Sequence, residues 1–395
     1  MKKYTFLKIF LFVFLFSILI FLVSLFYKNT SYNSKNSQND LNLNDLDFML
    51  SDNKNIEDIE NIEDKNKKRS DQLWLTSTEN KKWSFLATGD IMLSRMVDYK
   101  MKENSDLLYD YPYSDIKDFI DCDINFANLE TPLIDGDSVS TGTMSFRSDL
   151  ENASSLSKAG FNLLSLANNH TGNRGKDGFL ETFKALDDVG IEFIGAGRNI
   201  EESYSGKIID VSGLKIGFLA YTDDMFTPIA QKPGIDSPGS SSMQDADLKK
   251  DIESIKDRGA EYVIISMHSG HEYHDVPNWY QEAFARESID FGADLIIGHH
   301  PHVVQTVEKY NDKYIFYSLG NFIFDQMWSE ETKQGVMVKF YFDEFEIEKI
   351  RLIPVIIENY AKPRVANEEE SKVILDRLQY DYFEKDNGEY YLEID

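Results

Sequence analysis

Residues 296–304 read IIGHHPHVV, three histidines within four positions directly after a short apolar run. The 395-residue chain holds only four other histidines, His170, His268, His271 and His274, and each follows the end of another apolar run. Runs of this kind recur from Trp83 onward: SFLATG (84–89), DINFANL (123–129), FNLLSLAN (161–168), KIGFLAY (215–221), EYVIISM (261–267), DLIIG (294–298) and YIFYSLG (314–320). They are too short for ordinary helices. They also lack the polar alternation of a half-solvated strand, which predicts strands covered on both faces.

Helical patterns lie between them. Phe179, Phe183 and Leu186 fall at i, i+4 and i+7, with Asp177 as the expected N-cap and Gly190 as the C-terminal glycine. IEFIG then reads as a strand, and further helices are predicted over 244–258 and 279–291. Strands alternating with helices predict a largely parallel sheet. Toward the C-terminus, GVMVKFYFDEFEIEKIRLIPVII reads as antiparallel strands around a short turn, residues 366–380 as a last helix and 381–395 as an acidic tail. The expected fold is therefore α/β with a mixed sheet system: two packed sheets with helices outside, in one domain over 83–395.

Each run hands over to polar residues: Asp90 after the first, Asn128 and Glu130 around the end of the second, Asn169 and His170 after the third. His268, His271, Glu272 and His274 follow the fifth, His299, His300 and His302 the sixth, and Asn321 the last. Ligands bind at the carboxyl ends of strands in α/β sheets. Carboxylate, amide and imidazole together suit Mn, Zn or Fe better than Mg or Ca. Six or so such groups exceed the needs of one tetrahedral ion, so two divalent ions are expected, an arrangement recurrent in phosphate-ester hydrolysis. Singly, a histidine at a strand end is more often a hydrogen-bonded structural residue, the expectation for His274, and NNHTGNRG alone could be a turn.

The N-terminal segment is of another kind. Lysines at 2, 3 and 8 precede Ile9–Tyr27, 19 residues without a charge. That length suits a bilayer span, so residues 1–28 are read as a retained signal anchor, with a cleaved signal peptide as the alternative. The lysine bias places the N-terminus in the cytoplasm and the remainder outside the cell membrane. Residues 29–82, rich in Asn, Asp, Ser, Lys and Glu, are read as a disordered tether. The net charge of −27 sits almost wholly beyond residue 82 and argues against nucleic acid as a partner. Cys122, the single cysteine, excludes an intramolecular disulfide and is expected to be a packing thiol.

GDIMLSR, ANLETPL, LANNHTGNRGKDGFLETFKAL, GIEFIGAG, MHSGHEY, GHHPHVVQ and YSLGNFIFDQ, seven blocks in order over about residues 83–360, resemble the CapA-type proteins of poly-γ-glutamate capsule synthesis, within the calcineurin-like metallophosphoesterase superfamily. The resemblance implies a four-layer α/β/β/α sandwich. It implies Asp90, Glu130, Asn169, His268, His299 and His302 as metal ligands. His170 is implied as the residue that contacts phosphate and protonates the leaving group, its tautomer set by a neighbouring carboxylate or backbone carbonyl. Arg147, with Arg95 as a second candidate, is implied as the charge that holds an anion, and Asn128 as a further catalytic group. The expected partners are the membrane, poly-γ-glutamate or a phosphate-containing substrate, and other capsule synthase subunits. A general extracytoplasmic phosphoesterase and a non-catalytic scaffold are the alternatives. Two departures bear on the site: Met92 stands where the superfamily's Asp-x-His motif has histidine, and Ser269 where the family often has tryptophan.

Overall fold

The computed structural model describes residues 81–394 apart from 226, 229 and 230. The expected membrane anchor and most of the tether lie outside these residues; among those described, no helix is long and apolar enough to cross a membrane.

The chain opens with β1 (Lys82–Ile91), α1 (Arg95–Glu103), β2 (Ile124–Leu129), α2 (Asn152–Ala159), β3 (Leu163–Ser165), α3 (Gly175–Val189) and β4 (Glu192–Ile194). β1 to β4 are parallel neighbours. The short β5 (Ala196–Gly197), α4 (Ile200–Ser205) and β6 (Lys207–Val211) lead to β7 (Leu214–Thr222). Then come β8 (Gly239–Ser240), α5 (Leu248–Asp257), β9 (Tyr262–His268), α6 (Trp279–Asp290), β10 (Leu295–His299), β11 (Val307–Tyr310) and β12 (Lys313–Phe316). β7, β9, β10 and β12 are parallel and form the centre of a six-stranded sheet ordered β11-β12-β10-β9-β7-β6.

The chain then returns to the first sheet through β13 (Asn321–Ile323), which runs parallel to β1, and β14 (Gln334–Asp343), β15 (Glu346–Glu358) and β16 (Lys362–Val365), which are antiparallel. α7 (Glu368–Leu375) follows, then β17 (Tyr382–Glu384) and β18 (Tyr390–Leu392). The acidic tail expected at 381–395 is thus a hairpin that extends the sheet beyond β15. Its consecutive residues Tyr390, Tyr391 and Leu392 are all buried. α3 also begins earlier than expected, with Arg174 at the N-cap position and no side-chain cap, so Asp177 lies in its first turn; Gly190 does end it, at φ 74.

The absence of polar alternation has a direct cause: successive residues of one strand enter different cores. Phe85, Phe126, Phe218, Ile264 and Ile297 pack between the two sheets. Leu86, Ala127 and Leu164 pack with Val97, Leu156 and Phe183 of the helices on the outer face of the first sheet. Val263, Ile265 and Ile296 meet Ile252, Ile255 and Phe284 of α5 and α6 on the outer face of the second. Both sheets are therefore desolvated on two sides, and the strand exits are where polar groups can gather.

Register brings them level. Asp90 pairs with Asn128 of β2 and Asn321 of β13, and His268 of β9 pairs with His299 of β10. Gly89 permits the β1–β13 approach, since a Cβ there would stand 2.1 Å from the Gly320 carbonyl oxygen.

Candidate metal centre

Asp90 and Glu130 are wholly buried, and His268, His300 and His302 surround them. Two groups of possible ligands result, Asp90, Glu130 and His268, and Glu130, His300 and His302; within each the ligand atoms lie within 4.8 Å of one another. Glu130 is common to both.

Orientation of the side chains follows from hydrogen bonds. Asn168 Oδ1 accepts from the backbone N–H groups of His170 and Thr171, so its amide nitrogen faces Asn128 Oδ1 at 3.0 Å. Asn128 Nδ2 then donates to Asp90 Oδ1 at 2.8 Å. Asn321 Nδ2 is committed to Gln326 Oε1 and the carbonyls of His302 and Thr332. Its Oδ1 therefore accepts from His302 Nδ1 at 3.0 Å. That bond puts the proton on Nδ1 and turns Nε2 toward a ligand, the usual arrangement of a histidine beside a metal.

The fit to cations can be tested on the contacts themselves. Around His268 Nε2 stand Glu130 Oε1 at 2.9 Å, Asn169 Oδ1 at 3.0 Å and His300 Nδ1 at 3.1 Å. One N–H can serve only one of these acceptors well. Neither Glu130 oxygen receives a well-formed hydrogen bond although both are buried, a state that costs free energy unless a cation shares the space. The donor set fits divalent ions.

Protonation points the same way. Burial pushes Glu130 well above the usual carboxylate range, and the charge of Asp90 adds to this. Burial pulls His302 down, but the charges of Glu130 and Asp90 and the Asp90 hydrogen bond outweigh it and hold the imidazole up at about 9. These two directions describe one shared excess of negative charge, which takes up a proton when no cation is bound; we place that proton on His302. Burial, reinforced by neighbouring imidazoles, keeps His268 well below its ordinary value and His300 at about 3.

Backbone strain marks the same place. His300 (φ 97), His302 (φ 58), Arg95 (φ 53) and Tyr273 (φ 65) adopt left-handed conformations, each costing roughly 1–3 kcal/mol. Such strain persists where the surroundings over-determine it.

Of the expected ligands, Asp90, Glu130, Asn169, His268 and His302 are brought together. His299 is turned aside: its Nε2 donates to the Thr88 carbonyl at 3.0 Å and its ring meets Phe126 between the sheets. His300, not in the expected set, stands in the cluster instead. His170 stacks on Phe146 with ring centroids 4.0 Å apart. Its Nδ1 donates to Asn173 Oδ1 at 3.0 Å, an oxygen that also accepts the Phe146 N–H. The tautomer is thus set by a side-chain amide three residues on, not by a carboxylate or a backbone carbonyl. Burial, against that hydrogen bond, lowers His170 to about 4.

Arg147 is buried away from the cluster, where it pairs with Asp149 and donates to the Asp137 and Ile134 carbonyls. Arg95 is the cation beside the site. It pairs with Asp325, lies 4.7 Å over the Phe146 ring, and its charge is felt by Glu130 and His170. His271 and His274 lie on the surface with ring centroids 5.5 Å apart. Cys122 is half-buried, as a packing thiol would be. Although Ser269 supplies no aromatic wall, Tyr273 and Trp328 do, with the Tyr273 ring 6.2 Å from that of His302.

Comparison with known proteins adds the following. The profile described as "Bacterial capsule synthesis protein PGA_cap" matches residues 84–326. Capsule biosynthesis protein CapA of Bacillus anthracis is 33% identical over 291 residues, covering 71% of this chain and 69% of that protein. PGA biosynthesis protein CapA of Bacillus subtilis (strain 168) is 30% identical over 278 residues, covering 68% and 70%. Among solved structures, Thermus thermophilus sulfate thiohydrolase SoxB in complex with glycerol is 12% identical, with a TM-score of 0.38 over 75% of this chain and 60% of that one, a likeness too loose to carry an argument.

Proposed function

The chain belongs to the bacterial capsule synthesis protein family, and from that premise we propose that it acts in the synthesis or export of poly-γ-glutamate, as a membrane-anchored extracytoplasmic protein with a two-cation centre of phosphoesterase type. The observation that supports this most is the convergence of Asp90, Glu130, His268, His300 and His302 at the exits of both sheets, with neither Glu130 oxygen in a well-formed hydrogen bond. The order helices, sheet, sheet, helices fits the expected metallophosphoesterase sandwich. The charge-free stretch at 9–27 supports the anchor, and the relatives' names support the capsule role.

Asp90, Glu130, Asn169, His268, His300 and His302 would hold the ions, with Asn128 and Asn321 fixing the orientation of Asp90 and His302. The chemistry such ions would supply there is polarisation of a phosphoryl oxygen and activation of water as a nucleophile near neutral pH. His170, its proton fixed on Nδ1 by Asn173, presents Nε2 to a bound anion. The anion's charge raises the imidazole from its low value, so that it can carry a proton to the leaving oxygen. Arg95 steadies the anion while Phe146 excludes water from one face of His170.

Elemental analysis of protein purified without chelator should give two transition-metal ions per chain, and the Mn²⁺-loaded protein should hydrolyse an aryl phosphate. Loss of that rate in His170→Ala, with metal content unchanged, is expected. No metal bound would leave the scaffold reading, and unchanged surface polymer on deletion of the gene in a producing strain would remove the capsule role. A general phosphoesterase is the second reading, favoured by the donor set alone.

A further inference from the structure

Beside the centre stands a feature that neither ligation nor proton transfer uses. Tyr273, after β9, and Trp328, after β13, meet at 81° with centroids 5.8 Å apart. Both are exposed, Tyr273 by 46% and Trp328 by 63%. Two large rings left in water beside a buried cluster forgo apolar burial, yet Tyr273 is held firmly. Its backbone N–H donates to the Pro301 carbonyl, between His300 and His302, at 2.8 Å. Its hydroxyl accepts from Gln326 Nε2 at 3.3 Å. Gln326 Oε1 in turn accepts from Asn321, the residue that orients His302. The left-handed backbone at Tyr273 adds strain to that constraint. One network therefore fixes both the ligand and the exposed ring, as a preorganised contact requires.

We propose that Tyr273 and Trp328 form a stacking corner that selects anions bearing a flat ring, so that the centre's substrate is an aryl or nucleoside phosphate ester and not the bare polyanion. This rests on the reading of the centre as a cation-held anion site. Two walls near a right angle suit a ring that lies on one face and meets the other edge-on. Charge offers no competing explanation for the corner. In sequence Tyr273 lies between Glu272 and His274, with His271 and Asp275 one position further out, and Arg95 is engaged by Asp325. The carboxylates of Glu272 and Asp275 would repel a polyanion running outward over them.

The test is calorimetric titration of the Mn²⁺-loaded protein with inorganic phosphate, phenyl phosphate and a nucleoside monophosphate. Phenyl phosphate should bind about tenfold more tightly than phosphate. The nucleotide should share the gain if the natural ring is a base; if it does not, the ring is aryl. Tyr273→Ala and Trp328→Ala should each erase most of the gain with metal content unchanged, and Tyr273→Phe, which keeps the ring and its backbone tie but not the bond to Gln326, should keep most of it. If phosphate binds and phenyl phosphate gains nothing, or the gain survives both alanine variants, the stacking corner is overturned. If neither anion binds the metal-loaded protein, the reading of the centre fails and the corner falls with it.

Discussion

Without metal, His302 should make the protein less stable as pH rises from 6.5 to 9. Its imidazole is held at about 9 against roughly 6.5 in an unfolded chain. A raised value means that the folded state binds the proton more tightly. The stability this adds is complete below about 6.5 and is lost as pH climbs through about 9. The difference of about 2.5 units corresponds to at most about 3 kcal/mol, several degrees of melting temperature for a domain of this size. The other cluster histidines have lowered values, so they are neutral in the folded protein; in the unfolded chain each is half-protonated at pH 6.5, and its loss of that proton by pH 9 adds back about 0.4 kcal/mol, a smaller effect of opposite sign that leaves a net fall.

Cation binding needs His302 Nε2 unprotonated, so the same proton must leave. Apparent Mn²⁺ affinity should then rise about tenfold per pH unit between roughly 7 and 9. Melting curves in EDTA and in excess Mn²⁺, taken at pH 6.5 and 9, give both quantities. The metal-free melting point should fall while the increment due to Mn²⁺ grows, and His302→Gln should flatten both trends. A metal-free melting point that holds steady over this range, or one that falls equally in the variant, would refute the assignment of the proton to His302.

Other variants probe the same geometry. Glu130→Gln removes a buried charge that makes no well-formed hydrogen bond; the metal-free protein should melt higher by the equivalent of about 1–3 kcal/mol, while Mn²⁺ should no longer raise the melting point. Asn173→Ala frees His170 Nδ1 and leaves the Phe146 N–H without its acceptor; hydrolysis should fall at least tenfold with metal content intact, and Asn173→Asp should restore part of it. Gly89→Ala would drive a Cβ into the Gly320 carbonyl; soluble protein, if obtained, should have lost Mn²⁺ binding, because Asp90 and Asn321 move apart.

The fold was legible because apolar runs and polar exits are properties of single strands. Which imidazole of HHPH turns inward was not. Consecutive residues of a strand face opposite sides, and nothing in the sequence sets the phase of β10. Ile297 and His299 share the inter-sheet side, and the chain leaves the strand at His300 in a left-handed conformation that the letters do not announce. The choice between Arg95 and Arg147 was equally hidden, since it depends on where Asp325 and Asp149 fall in loops. Two signals were available and went unread. Asn173 stands three residues after His170, the spacing of a local side-chain hydrogen bond, and the tail's YYL at 390–392 is a short run of strand-forming residues.

The electrostatics of the cluster impose an order on binding. Asp90 and Glu130 share a site without solvent, most of the imidazoles around them are neutral, and the nearby guanidinium is already matched by Asp325. A phosphate approaching these carboxylates alone would meet like charge, at about 3 kcal/mol for a pair about 5 Å apart at an effective dielectric constant near 20. His302 protonation offsets part of one carboxylate and leaves nothing for a dianion. Cations must therefore be in place before the anion. Equilibrium dialysis with labelled phosphate should show no binding to EDTA-treated protein at pH 7.5 and binding after Mn²⁺ is restored, with Asp90→Ala blocking the restoration. Equal phosphate binding with and without metal would mean that Arg95 and His170 suffice for the anion, and the carboxylates would then need a different explanation.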